Sequence, residues 1–249
     1  SSSHFKLTLG LYSKKWKNAE DVIGRDAFKN LFAHIRMIHR KEKLKESILK
    51  EVRDHVIPKY MPKDFIDRVV APYTIAFDVI QTATYESMND AAEVNILLKW
   101  LSRIDNFDWM PPALVGYKQL HNNQIELQHF LQDLERLAAS LMIRRVGINL
   151  RIDRYAKLLK SMEDGDDLYQ SESPLQLNQA EIHETVDRLN GDIYNSGARG
   201  YILRRLDAEL SENKQTPELS IVTIEHVLPQ NPPDKSQWWT WYPNPEVRE

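Results

Sequence analysis

The sequence contains no cysteine and only 8 glycines among its 249 residues. Without cysteine the protein has neither disulfide bonds nor thiolate ligands for a structural zinc ion. No apolar run approaches the roughly 18 residues that a membrane-spanning helix needs. These absences argue against a disulfide-rich secreted scaffold and a membrane partner, and we expect a cytoplasmic protein.

The protein also has no strong net charge. Its 33 Lys and Arg residues oppose 36 Asp and Glu residues, which gives a formal net charge of −3 and a pI near 6.3. Any contact with nucleic acid must therefore come from a local basic patch, because the whole chain is not basic. The hydrophobic content of 42% is enough for a core, and the length allows one large domain or two smaller ones.

Helical spacing dominates the apolar pattern, since hydrophobic residues recur at three- and four-residue steps. Asp26 is a candidate N-cap for the first clear helix, and Asn149 for a shorter one. Asp64 is a candidate cap for a helix that Pro72 should kink or end, and Pro112 fits a helix start. Further predicted helices cover residues 94–101, 123–144, 181–189 and 198–210.

The pattern changes near residue 212. The segment 211–217 has the composition of a linker, and the β-branched run Ser220–Ile224 predicts a short strand. A tail rich in tryptophan and proline follows. We therefore predict a mainly α protein, with a helical body over residues 1–212 and the beginning of a different module over residues 213–249.

The predicted strand leads directly into Glu225 and His226, just before a turn at Pro229. An acid and a histidine at this point suit metal-dependent cleavage of a phosphodiester. The carboxylate can hold a divalent cation, and an imidazole with a pKa of about 6.5 can accept a proton from water. Oxygen and nitrogen ligands without sulfur favour Mg²⁺ or Mn²⁺. The alternative is a structural histidine that is hydrogen-bonded within the turn.

Residues 224–230 resemble the first half of an HNH nuclease motif, which has a ββα-metal fold. The resemblance implies that His226 is the general base, that Glu225 is a metal ligand and that Pro229 sets the loop. The longer run from Ile224 to Pro232 is followed by three tryptophans. Together these resemble the C-terminal HNH-like domain of GmrSD-type restriction proteins, which include the SspE relatives that restrict phage.

This resemblance implies a DNA endonuclease that acts on phage or modified DNA. It also implies a nucleotide-hydrolysing sensor domain on the N-terminal side, joined to the nuclease by the helical body. In that family a later Asn completes the metal site, so we expect a chain that ends at Glu249 to be inactive by itself. The alternative is a non-catalytic helical scaffold, or a domain that binds DNA or a partner, with an incomplete nuclease motif.

Basic residues provide the candidate DNA contacts. Residues 36–63 hold nine Lys and Arg against four Asp and Glu, which suits a phosphate backbone or, alternatively, a solvated helix face with internal ion pairs. The foremost candidates are Arg36, Arg40, Lys41, Lys43, Lys45, Arg144 and Arg145. For the last two, interaction with a helix C-terminus is the alternative. The tryptophans at 238, 239 and 241 can stack on bases or pack the small module.

Overall fold

The computed structural model describes residues 2–211 and 232–244, with side chains from residue 13 onward. Those residues are mainly helical and include no strand, which confirms the predicted mainly α class. The chain divides into two compact units, Ser1–Ala198 and Arg199–Glu249. The predicted strand and the Glu225-His226 pair lie outside the described residues. None of the described helices is long and apolar enough to cross a membrane.

Among the described residues, ten α-helices lie in the first unit and two in the second. The first ten are α1 (Ser2–Ile23), α2 (Arg25–Arg40), α3 (Ile48–Glu51), α4 (Pro62–Asp64), α5 (Ala71–Thr82), α6 (Ala92–Ser102), α7 (Met110–Leu120), α8 (Gln124–Ile143), α9 (Ile148–Asp164) and α10 (Gln179–Leu189). The second unit contains α11 (Arg199–Leu210) and α12 (Trp238–Trp241). Between α3 and α5, two π-helical segments, Val52–Val56 and Phe65–Val70, and a 3-10 turn, Ile57–Lys59, accompany α4.

Helix α7 lies at the centre of the first unit, where it contacts α2, α5, α8 and α9. Its Gly116 faces Phe130 of α8 so closely that an added Cβ would stand 2.2 Å from the ring atom Cε1. The missing side chain therefore lets the two helices approach each other. Trp100, Trp109 and Tyr155 are among the largest fully buried side chains around this contact region. The predicted apolar faces of α6 and α8 are confirmed as core.

Helix α1 has no counterpart in the sequence prediction. It meets α2 at Gly24, whose φ of 80° is readily available only to glycine. Trp16 of α1 contacts Phe28 and Phe32 of α2, each with ring centroids 5.3 Å apart. Gly24 is also the residue that precedes α2, so the predicted N-cap at Asp26 is wrong and this carboxylate lies in the first helical turn.

Two other helix starts were predicted at the correct residues. Asn123 caps α8 by accepting a hydrogen bond from the Glu126 N–H at 3.3 Å. The two prolines at the start of α7 confirm the prediction at Pro112. The prediction for Asn149 is wrong, because α9 already begins at Ile148 and continues for 17 residues. This helix extends into the acidic segment that follows.

Pro72 does not end the helical path, so this part of the prediction is wrong. It lies in the first turn of α5, directly after the π-helical segment Phe65–Val70. The proline has no N–H to donate to the carbonyl of Arg68, four residues earlier. Lys118 of α7 donates to that carbonyl instead, with Nζ at 2.9 Å. The predicted cap at Asp64 is also wrong, because the helical path starts at Pro62.

Candidate nucleic-acid interface

Arg36, the first predicted DNA contact, lies inside the fold with 4% of its surface exposed. Its Nε donates to Glu51 Oε2 at 2.6 Å, and Nη2 donates to the carbonyl of Lys43 at 2.9 Å. Burial raises the pKa of Glu51, but hydrogen bonds from the N–H groups of Lys45 and Glu46 and from Arg36 outweigh this effect and lower it to about 2. DNA cannot reach this guanidinium in the folded protein, so its role here is a structural ion pair.

Three of the other four candidates from this region also have carboxylate partners. Arg40 and Lys45 both bind Glu42, the latter at 2.6 Å, and Lys41 binds Glu163 of α9 at 2.9 Å. Lys43 has no carboxylate within ion-pair distance among the described residues. These contacts favour the alternative of internal ion pairs for most of the stretch, because a paired cation attracts a phosphate less strongly.

Two lysines that the sequence did not single out have no carboxylate within ion-pair distance in the described part of the chain. Lys59 Nζ lies 3.5 Å from the carbonyl oxygen of His39, at the end of α2. Lys118, which reaches the Arg68 carbonyl, stands 4.8 Å from the ring centroid of Tyr73. Each lysine contacts a carbonyl that is distant in sequence, so no local pattern could have identified these contacts.

His39 lies beside Lys59. Its imidazole packs against Tyr60 with ring centroids 5.7 Å apart, and its buried Nε2 has no hydrogen-bond partner within the described part of the chain. Burial, and then the positive charges of Lys59, Lys41 and Lys118, lower its pKa to about 4, although the carboxylate of Glu163 opposes this shift. The imidazole is therefore neutral at physiological pH.

Arg144 and Arg145 lie at the C-terminal end of α8, as predicted, and hold a neighbouring segment. Arg144 donates to Glu181 of α10 at 3.2 Å and is 8% exposed. Arg154 of α9 donates to the same carboxylate at 3.2 Å. Arg145 is exposed and donates to the carbonyl of Asn195 at 3.3 Å. Their observed contacts attach residues 179–198 to the helical body.

The amphipathic pattern of α10 is reversed relative to the usual surface helix. Glu181 and Thr185 face α8, with Thr185 Oγ1 2.8 Å from Ser140 Oγ. Ile182 and Val186 point outward and are 41% and 47% exposed. Polar groups therefore make the contact with the body, while the apolar face of the helix remains accessible.

The tryptophans of the tail form a small aromatic group in the second unit. Trp238 contacts Trp241 edge to face at 5.6 Å and stacks with Tyr242 at 5.9 Å. Trp239 donates its indole N–H to the carbonyl of Pro233 at 3.2 Å. Trp241 is 59% exposed, so one indole of the group has a free surface.

The predicted catalytic pair stays a prediction, because Glu225 and His226 lie outside the described residues. Within residues 2–211 and 232–244, no group of three or more His, Asp or Glu side chains is arranged to hold a metal ion. The donor atoms of the pair are one carboxylate and one imidazole, and the sequence offers no sulfur ligand from cysteine. This chemistry fits a hard divalent cation.

Comparison with known families gives one match. Residues 179–249 match the family described as GmrSD restriction endonucleases, C-terminal domain. This confirms the resemblance to GmrSD-type restriction proteins, and the match includes α10, α11, α12 and the Glu225-His226 pair. No curated protein and no solved structure matches the chain significantly.

Proposed function

We propose that the protein is part of a restriction endonuclease that hydrolyses DNA phosphodiesters with an HNH-like motif. The observation that carries the proposal is the family match over residues 179–249, which contains Glu225 and His226. The substrate would be phage or modified DNA. A nucleotide-hydrolysing sensor domain on the N-terminal side belongs to the same proposal.

His226 is the proposed general base. Its imidazole would take a proton from the attacking water, so that the new P–O bond forms as the bond to the leaving sugar oxygen breaks. Glu225 is the proposed metal ligand, with a ββα arrangement around the pair. The divalent cation, Mg²⁺ or Mn²⁺, supplies positive charge for the leaving oxygen when it is bound.

The basic residues have different proposed parts in this function. Lys43 and the exposed Arg145 are the predicted contacts that remain available to a phosphate. The ion pairs of Arg36, Arg40, Lys41, Lys45 and Arg144 support a structural role instead. The pairs of Arg36, Lys41 and Arg144 connect separate helices, whereas those of Arg40 and Lys45 are local to the loop after α2, and all five leave little free charge.

Replacement of His226 tests the proposed catalytic role. We expect His226→Ala to reduce nicking of supercoiled DNA by about 100-fold or more, because general-base catalysis contributes that much. The assay uses the full-length protein encoded by the gene, with Mg²⁺ or Mn²⁺, and EDTA should abolish the reaction in the unmodified protein.

His183→Ala is the matched control for this experiment. His183 also lies in the family-matched segment, but its side chain is 81% exposed on α10, with Nε2 3.4 Å from a carboxylate oxygen of Asp187. This variant should nick DNA at the normal rate and unfold at the same temperature as the unmodified protein. Undiminished nicking by a folded His226→Ala protein would refute the assignment.

A further inference from the structure

A cavity of about 260 Å³ lies where α2, α7 and α9 meet, and the loop after α2 forms part of its wall. Most of the wall is apolar and includes Met37, Ile48, Pro111 and Ile152. Leu44 and Phe107 also line it and are 43% and 59% exposed, so the cavity opens to the surface beside them. Cavities for drug-sized ligands measure about 300–1,000 Å³, so this one suits a smaller molecule of one or two rings.

Two polar side chains in this wall, His34 of α2 and Tyr155 of α9, have no hydrogen-bond partner among the described residues. Tyr155 is only 1% exposed. The polar atoms of the described chain that are both unpaired and fully enclosed belong to His39 and Arg40. The unpaired atoms of His34 and Tyr155 therefore face space that a small molecule can enter. Because buried polar groups are nearly always paired, these two point to a partner from outside the chain.

Both groups are uncharged at physiological pH. Burial lowers the pKa of His34 to about 4 and raises the pKa of the Tyr155 phenol above its usual range. A neutral imidazole has one N–H donor and one nitrogen acceptor, and a phenol can both donate and accept. The pair therefore matches a ligand that carries both hydrogen-bond donors and acceptors on one edge.

The charged groups in the wall already have partners within the chain. Arg36 donates to Glu51 and to two backbone carbonyls. Asp108 accepts a hydrogen bond from Arg151 Nε at 2.8 Å, and Glu42 has two cationic partners. A charged ligand would meet no free counter-ion among these groups and would lose its hydration on entry. The cavity therefore favours an uncharged ligand.

We infer that this cavity binds a single uncharged nucleobase. The flat apolar body of the base would lie against the aliphatic wall and Phe107, and its polar edge would meet His34 and Tyr155. Enzymes that extrude a base from DNA hold it in this manner, by hydrogen bonds to its edge and by apolar or aromatic contacts with its faces. The choice of a nucleobase over other uncharged heterocycles rests on the proposed function. The same chemistry would serve a free base or one turned out of a DNA strand.

Tyr155→Phe tests the polar contact, because it removes the phenol oxygen and keeps the ring. Equilibrium dialysis of the full-length protein with radiolabelled adenine should give a Kd about tenfold higher for this variant, since one hydrogen bond to the ligand is lost. Its melting temperature should not fall, because the hydroxyl has no partner within the described part of the chain. Tyr73→Phe is the matched control, a buried tyrosine of α5 that does not line the cavity, and should leave the Kd unchanged.

Two further measurements test the shape and the polarity of the cavity. Ala33→Leu adds bulk to its wall from α2 and should abolish adenine binding. Indole has two fused rings and an N–H donor but no acceptor nitrogen, so it should bind at least tenfold more weakly than adenine. Equal or tighter binding of indole, or adenine binding that survives both substitutions, would overturn the inference. A lower melting temperature of Tyr155→Phe would indicate a structural hydroxyl and would also overturn it.

A DNA duplex with one 2-aminopurine distinguishes the two sources of the base. In EDTA, where no cleavage occurs, its fluorescence should rise if the protein turns this base out of the stack. A rise that Tyr155→Phe lacks and His226→Ala retains assigns the cavity to a base in DNA, whereas no rise with intact adenine binding assigns it to a free base. Failure of the cavity variants would leave a catalytic His226 unaffected, and a dispensable His226 would leave the binding results unaffected.

Discussion

Helix α8 makes two contacts of opposite character. Towards α7 it presents Phe130 to the open backbone at Gly116, and the contact is apolar and fully buried. Towards α10 it presents Ser140 and Arg144, and the contact consists of hydrogen bonds and ion pairs. The first contact belongs to the core, whereas the second attaches the segment where the family match begins.

The difference indicates how tightly each helix is held. Burial of a large apolar side chain contributes about 1.5–3 kcal/mol. A hydrogen bond to a charged group contributes roughly 1.5–3 kcal/mol only while both partners remain in place. Helix α10 has no fully buried residue, so its attachment depends on a few polar groups around Glu181.

The most severe test of the apolar contact is Phe130→Ala. Removal of this fully buried ring should lower the free energy of unfolding by about 3–5 kcal/mol, because a cavity would remain beside Gly116. Urea denaturation followed by circular dichroism measures the change. Ile125→Ala on the same helix is the control, since Ile125 is 79% exposed and should matter little. Equal losses in the free energy of unfolding for the two substitutions would contradict the difference between the buried and the exposed side of α8.

Glu181→Gln tests the polar contact. We expect a loss of about 1–3 kcal/mol, because Arg144 and Arg154 would keep their charges without the shared carboxylate. Hydrogen exchange should become faster in α10 while α7 and α8 keep their protection. Glu184→Gln should have a smaller effect, since Glu184 is 48% exposed and contacts Arg144 only at 3.4 Å. Uniform loss of protection across all helices would count against a local attachment.

The smallest effect is expected on the outward face of α10. Ile182→Thr should change the free energy of unfolding by less than about 0.5 kcal/mol, as is usual for exposed positions. The same denaturation measurement applies. A loss comparable with that of Glu181→Gln would mean that Ile182 is covered by another part of the protein in solution.

Local signals were sufficient to predict most of the helices. The cap at Asn123, the prolines before α7 and the leucine spacing of α8 all act within a few residues. Helix α1 was missed because it is held by contacts with other helices. Trp16, for example, packs against α2. The start of α9 was predicted at the wrong residue, because the residue before the helix is Gly147, which has no capping side chain.

The candidate site was less predictable. Composition placed the excess of positive charge within residues 36–63, but partners far along the chain determine which cations remain available. Glu163 binds Lys41 from α9, and Glu51 binds Arg36 across fifteen positions. Lys59 and Lys118, which have no carboxylate partner among the described residues, contact carbonyls twenty and fifty positions away. The pair Glu225-His226 depends on the sequence motif and the family match alone.

Pro72 has a consequence beyond the path of its own helix. The Arg68 carbonyl, four residues before it, accepts a hydrogen bond from Lys118, fifty residues away along the chain. A cation on a flexible side chain is thus held by the main chain of another helix and not by a carboxylate. Its position therefore depends on backbone geometry, which a comparison of charged residues along the sequence does not reveal.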